Sequence, residues 1–297
     1  MLIALAVFIA SPGVAQDRSA TDGVAEDNTL NKEQRTRWLG IYRDEAAAYE
    51  MFRSDSREGS ANQAELLQLQ PAPILTFTNP VRVRDTHGAA FVWTNDGRPE
   101  VIGAIWSVIS PVDSNQRRLS HEFHSLSLVG IDTKHEPRVS RRGAVPDWTT
   151  TEAGVTPAEI PNAPVPAQTE RMRLTQMRQF ARGFEAKIPT GLSDGQGSLR
   201  LLAQPLYRYQ SKRHHVIDGA VFAFVMGTDP ELVLLIEAID LDDGPQWRFA
   251  AARLANLPLI LEYKREKVWE CGRAKPYVGN QPHFLYWGVS ARDRLVE

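Results

Sequence analysis

The sequence predicts an α+β protein made of two related halves, and three observations predict it. The stretch "GAAFVWTNDGRPEVIGAIW" (88–106) lies without a gap over "GAVFAFVMGTDPELVLLIE" (219–237), with Gly88/Gly219, Ala89/Ala220, Phe91/Phe222, Pro99/Pro230, Glu100/Glu231 and Ile105/Ile236 identical. A segment of helical apolar spacing precedes each copy. A stretch rich in proline and small polar residues, "GAVPDWTTTEAGVTPAEIPNAPVPAQ" (143–168), separates them. Internal self-similarity takes precedence over local propensity, because both copies must bury the same faces in the same way.

The elements follow in chain order. Leu2 to Ala10 is an apolar run too short to span a bilayer and long enough for the core of a signal peptide. Ser11, Pro12 and Gly13 break it, and Gly13-Val14-Ala15 supplies the small residues of a cleavage site. Residues 1–15 therefore read as a signal peptide, and the protein is expected to be secreted or periplasmic. No later stretch is apolar enough to cross a membrane, so no span is expected in the mature chain. Residues 16–30 and 54–64 are polar and read as loose chain.

The first unit, 31–150, opens with apolar residues at helical spacing: Trp38, Ile41 or Tyr42, Glu45/Ala46, Tyr49 and Phe52. The second, 169–297, opens with Leu174, Met177, Phe180 or Ala181, Phe184 and Ile188. Each such amphipathic helix needs a sheet to cover. Arg171, Arg173, Arg178, Arg182 and Lys187 make the second one basic, which reads as a solvated face. After each helix, "AAFVW" and "AVFAFVM" read as strands bounded by the turns Asp96-Gly97 and Gly227-Thr228-Asp229-Pro230. "EVIGAIWSVI" and "ELVLLIEAI" return antiparallel, followed by "EFHSLSL" and "RFAAARL"; the second unit adds "LPLILEYK" and "HFLYWGV".

The flanks extend the match, with "NPVRV" (79–83) facing "QPLYR" (204–208) and "HEFHSLSL" (121–128) facing "WRFAAARL" (247–254). The expectation is an internal duplication: two helix-plus-antiparallel-meander units that join as one pseudo-twofold barrel or sandwich. A single continuous β-sandwich is the alternative. Residues 151–168 are expected to be an exposed proline-rich linker.

Composition narrows the function. The 34 basic and 36 acidic side chains leave a net charge of −2, so no overall field favours nucleic acid or an anionic surface. The single cysteine, Cys271, permits no intramolecular disulfide and reads as a buried thiol rather than a nucleophile. The chain has no Gly-x-Ser-x-Gly elbow, P-loop, paired-cysteine motif or Asp-rich calcium loop, and Gly195-Gln196-Gly197 lacks the third glycine of a dinucleotide loop. His214 and His215 follow Lys212-Arg213 in what reads as an exposed loop. The recurring Pro99-Glu100 and Pro230-Glu231 pairs start strands after a turn, and Trp93 is expected in the core.

The remaining chemical candidate is "RLSHEFHSLS", where His121 and His124 flank Glu122 and Phe123. The spacing is not the His-Glu-x-x-His pattern that chelates from one helical face. The repeat places a strand here. His121 would then share a face with Phe123 and Ser125, while Glu122, His124 and Leu126 share the other. A shared metal is disfavoured on that geometry, and neither metal nor cofactor is expected. In the aligned second copy, Trp247 and Ala250 carry no chemistry. The expected function is a non-catalytic exported protein that uses His121, Glu122 and His124 to bind a small ligand or cell-envelope partner in the groove between the halves. The alternative is an extracytoplasmic hydrolase using the same three residues.

The runs "LRLLAQPLYRY", "DGAVFAFVMGTDPELVLLIEA" and "HEFHSLSL" resemble segments of uncharacterised predicted secreted proteins of planctomycete bacteria. The resemblance covers residues 75–130 and 170–270. It implies export and supplies no catalytic residues.

Overall fold

The computed structural model describes residues 31–54, 65–79, 86–110, 116–140, 142–189 and 197–289. The expected signal peptide (1–15) and the polar stretches 16–30 and 55–64 lie outside the described residues.

Helix α1 (Lys32–Ala47) begins at a reciprocal cap, in which the Asn31 side chain accepts from Gln34 N–H and the Gln34 side chain accepts from Asn31 N–H. It stops short of Tyr49 and Phe52, and the chain continues as β1 (Glu50–Ser54), where Met51 points inward. The short strands β2 (Glu65–Leu66) and β3 (Gln68–Leu69) lead to β4 (Leu75–Asn79). Next come β5 (Thr86–Asn95), β6 (Arg98–Ile109), β7 (Arg117–Ser125) and β8 (Gly130–Lys134). The middle of the chain holds β9 (Val139–Ser140), β10 (Gly143–Ala144), β11 (Thr149–Thr150) and β12 (Ala158–Glu159).

Helix α2 (Glu170–Arg182) is capped by Thr169, which accepts from Met172 N–H, and it ends at Gly183. Phe184 and Ile188 therefore fall beyond it, Phe184 opening β13 (Phe184–Lys187). β14 (Ser198–Leu201) and β15 (Tyr207–Ser211) precede the long hairpin of β16 (Val216–Met226) and β17 (Asp229–Ile239). β18 (Gln246–Arg253), β19 (Leu259–Tyr263), β20 (Glu266–Cys271) and β21 (His283–Val289) complete the order. The protein is mostly antiparallel β, with two helices among the described residues.

The two matched stretches form hairpins of the same register. In β5–β6, Gly88 faces Trp106 and Ala89 faces Ile105, with a bulge between Trp93 and Thr94. In β16–β17, Gly219 faces Glu237 and Ala220 faces Ile236, with a bulge between Phe224 and Val225. Each glycine admits an aromatic ring from the preceding strand. A Cβ on Gly88 would lie 2.6 Å from Phe77, and one on Gly219 would lie 2.6 Å from Tyr209. The first turn is tight because Asp96 and Gly97 both take positive φ, 46° and 82°.

The flanking matches shift. Phe77 of β4 and Tyr209 of β15 each lie opposite the glycine of the next strand, Gly88 and Gly219; residues 80–83 of "NPVRV" lie outside the described residues. His121 faces Ile105 as Phe249 faces Ile236, so by ladder position His121 matches Phe249, two residues on from Trp247. Ladder pairing fixes these places, and loops of unequal length hide them from a linear alignment.

Side-chain alternation builds a layered stack. Trp38, Tyr42 and Ala46 of α1 pack on Ala89, Phe91 and Trp93. Met177, Phe180 and Ala181 of α2 pack on Ala220, Phe222 and Phe224. The opposite faces meet each other: Val92, Ile102 and Leu126 lie in one cluster with Val221, Ala223 and Val233. Both faces of the central strands are thus buried, which is why they read as almost unbroken apolar runs. β14, β13, β19 and β20 carry the second sheet onward, and it curls as a half-barrel.

Two expectations change. The middle segment is not simply an exposed crossing: Val145, Trp148, Val155 and Ile160 are buried. β11 pairs with β8 and β12 with β18. Proline forbids a long ladder, but it leaves room for two-residue edge pairings. Arg173 is not on a solvated face either, being buried with its Nε donating to Asp218 at 3.0 Å.

Strand β21 leaves the second sheet and pairs with β7, with His283 facing His124 and Tyr286 facing His121. Each long ladder is therefore edged by chain that follows the other one: β21 on β7 and β12 on β18. No helix among the described residues is long and apolar enough to cross a membrane.

Candidate functional site at the seam of the two sheets

The pleat of β7 separates the three candidate residues. His121 points toward α1. Its Nδ1 lies 2.9 Å from both the Tyr49 and the Tyr286 hydroxyls, and its Nε2 lies 3.6 Å from Glu45. Tyr49 and Tyr286 also hydrogen-bond each other, and Arg138 pairs with Glu45. Burial raises both phenols, Tyr286 up to about 12, so both hydroxyls keep their protons. This is a closed polar cluster in the core under α1.

Glu122 and His124 lie on the other face, where β21 brings His283 to them. His283 Nε2 donates to Glu122 Oε1 at 2.5 Å, and the His124 and His283 rings lie 5.9 Å apart. His124 Nε2 is 3.2 Å from the Gly154 carbonyl, which only accepts, so Nε2 carries the proton of that ring. Burial, with His283 alongside, pushes His124 down to about 3. The ring is neutral at pH 7, with the Gly154 and Arg253 backbones beside it. The Nδ1 atoms of His124 and His283 are both buried without a hydrogen-bond partner.

The two imidazoles line a cavity of about 660 Å³ between the end of β7, the end of β18, β20 and the approach to β21. Apolar walls come from Val155, Ala251, Trp269 and Pro282. Arg253 also lines it, its guanidinium donating to the carbonyls of Ala255, Leu257 and Gly272 at 2.9, 2.5 and 2.6 Å. Arg273 and Lys275 stand exposed at the rim. Glu270, the acid on the wall, pairs with Lys267 at 2.9 Å. Cys271 shares the wall, and burial pushes its thiol up despite the pull of Arg253. It is a neutral thiol at pH 7.

The structure therefore brings Glu122 and His124 together and leaves His121 on the far face. Sequence reasoning missed His283, Trp269, Arg273 and Lys275. They lie far along the chain, and only the return of β21 to β7 places them here. Among the described residues no group of three or more His, Cys, Asp or Glu side chains is arranged to hold a metal ion. A second depression, lined by Asp147, Thr149, Thr151, Glu152, Gly279 and Asn280, contains no buried side chain lacking a partner. Comparison with family models, curated proteins and solved structures finds no match to the chain.

Proposed function

We propose that this is an exported protein, built from one duplicated helix-and-ladder unit, that binds a small ligand in the seam cavity and performs no chemistry on it. The duplication rests on the shared register, shared bulge and aromatic-over-glycine contact of the two hairpins. Export rests on the apolar run Leu2–Ala10 and the small residues that follow it. Binding rests on one observation: a cavity of about 660 Å³ at the seam, walled by Val155, Trp269 and Pro282 with His124, His283 and Arg253 beside them.

Cys271 provides the test, because it is the single cysteine and it lines the cavity. A panel of small organic acids, sugars and amino acids is screened by thermal unfolding of the full chain. At least one class raises the midpoint and slows alkylation of Cys271 by iodoacetamide in parallel. Stabilisation that leaves alkylation unchanged for every class would contradict the assignment.

The Glu122–His283 pair favours the hydrolase alternative, because a carboxylate-oriented imidazole is the arrangement of a general base. It lacks an activated nucleophile beside it, since the Cys271 thiol is held protonated. Ester hydrolysis that disappears in Glu122→Gln would establish that alternative.

A further inference from the structure

We infer that the seam cavity takes a flat, apolar monocarboxylic acid, its carboxylate received by the Arg253 guanidinium and its body laid against Trp269. This rests on the cavity being a binding site and names the class of molecule that fits it. Three observations carry it.

Arg253 is a buried cation held by dipoles rather than by an acid. It is 7% exposed, and its donors go to the backbone carbonyls of Ala255, Leu257 and Gly272. In Arg98 and Arg138 burial is overcome by carboxylates alongside, and the net pKa shift is upward. In Arg253 burial prevails over the fields of Cys271 and Glu122, and the net shift is downward. Glu122 is itself engaged by His283. Arg253 still carries its charge at pH 7, so the cavity wall holds a positive charge that burial leaves largely uncompensated.

The fork is open on one side. The three carbonyls occupy Nε and Nη2, whereas Nη1 has no hydrogen-bond partner in the protein and is not sealed from solvent. Arg253 lines the cavity, so Nη1 meets what enters it. A guanidinium pinned by its other donors is preorganised for a carboxylate. One cation at this depth balances one negative charge, and a second buried anion would cost desolvation without a buried partner. The exposed Arg273 and Lys275 add a field of the same sign and no fixed geometry.

The walls ask for an apolar body. Val155, Ala251, Trp269 and Pro282 line the same cavity, and its volume of about 660 Å³ suits a molecule larger than a bare small acid. The half-buried Trp269 presents indole surface on which a flat ring stacks.

Isothermal titration of the full chain with three probes tests this: 2-naphthoate, the neutral 2-naphthalenemethanol, and acetate. 2-Naphthoate is expected to bind about tenfold more tightly than the alcohol, the margin of one charge-assisted hydrogen bond, and far more tightly than acetate. It is also expected to slow alkylation of Cys271, which places it in this cavity. Arg253→Gln keeps an amide donor for the carbonyls and removes the charge, bringing 2-naphthoate and the alcohol within about twofold of each other. The alcohol binding wild type as tightly as 2-naphthoate overturns the carboxylate half of the inference, and acetate binding as tightly overturns the apolar half. A preference for 2-naphthoate that survives Arg253→Gln, with the alcohol still bound, overturns Arg253 as its receptor. If that variant fails to fold, the comparison of the three probes on wild type decides. Silence from all three, while another member of the Cys271 panel still protects the thiol, overturns the ligand class alone. Silence from every member of that panel overturns the cavity as a binding site.

Discussion

At the scale of single residues, charge held away from water is what most distinguishes this molecule. His124 is neutral in the folded state, with its pKa lowered to about 3, while an unfolded histidine protonates near 6.5. Between those values the unfolded chain binds the extra proton, so the stabilisation present above pH 6.5 is lost as pH falls toward 3. The unfolding free energy is expected to decline across that window by up to about 1.4 kcal/mol per pH unit from this group. Urea titrations at stepped pH check it, and His124→Gln flattens the slope. An unchanged slope would assign the acid sensitivity elsewhere.

Arg98 behaves differently because its charge is paired. It crosses between the two sheets, with Nε donating to Glu237 at 2.8 Å and Nη1 to Glu100 at 3.0 Å. Tyr209 donates to the same Glu237 oxygen at 2.7 Å. Arg98→Met would take the nearest cation from two buried carboxylates, leaving Glu100 to Arg53 at 3.7 Å and Glu237 to the Tyr209 hydroxyl, and is expected to cost about 3–5 kcal/mol in urea unfolding. A loss below about 1 kcal/mol would show that water already reaches these carboxylates.

At the scale of elements, the two long hairpins and the strands beside them repeat one solution: an aromatic ring laid over a glycine on the neighbouring strand. Gly88→Ala and Gly219→Ala each push a methyl into Phe77 or Tyr209, and each is expected to destabilise by about 1–3 kcal/mol. Thermal unfolding of the two variants side by side checks this. A neutral effect at one site and a large one at the other would break the correspondence between the hairpins. These hairpins were legible in the sequence, since Asp96-Gly97 and the identical Pro-Glu pairs mark local turn chemistry that needs no distant partner. Helix ends were less legible. Tyr49, Phe52, Phe184 and Ile188 continue the apolar spacing past α1 and α2, and all but the half-buried Phe52 are buried beyond the helices. Arg173 was misread for a similar reason, because its partner Asp218 lies on a strand that periodicity alone does not bring to it.

At the scale of the whole molecule, the decisive feature is the exchange of edge strands, β21 onto β7 and β12 onto β18. A linear reading saw His121, Glu122 and His124 as one candidate and assigned the right faces from the strand period. It had no means of finding His283, because a pairing between strands this distant leaves no local pattern. The same exchange explains why the proline-rich middle segment is partly buried: it supplies Trp148, stacked on Phe123 and Phe284, and β12 at the sheet edge. The seam so formed brings the imidazoles of β7 and β21, Trp269 of β20 and the rim cations around one cavity. Crystals of the full chain soaked with a set of small organic fragments test that assignment most directly. The prediction is that bound fragments concentrate in the cavity walled by His124, His283 and Trp269. Fragments that occupy other surfaces while this cavity stays empty would contradict it.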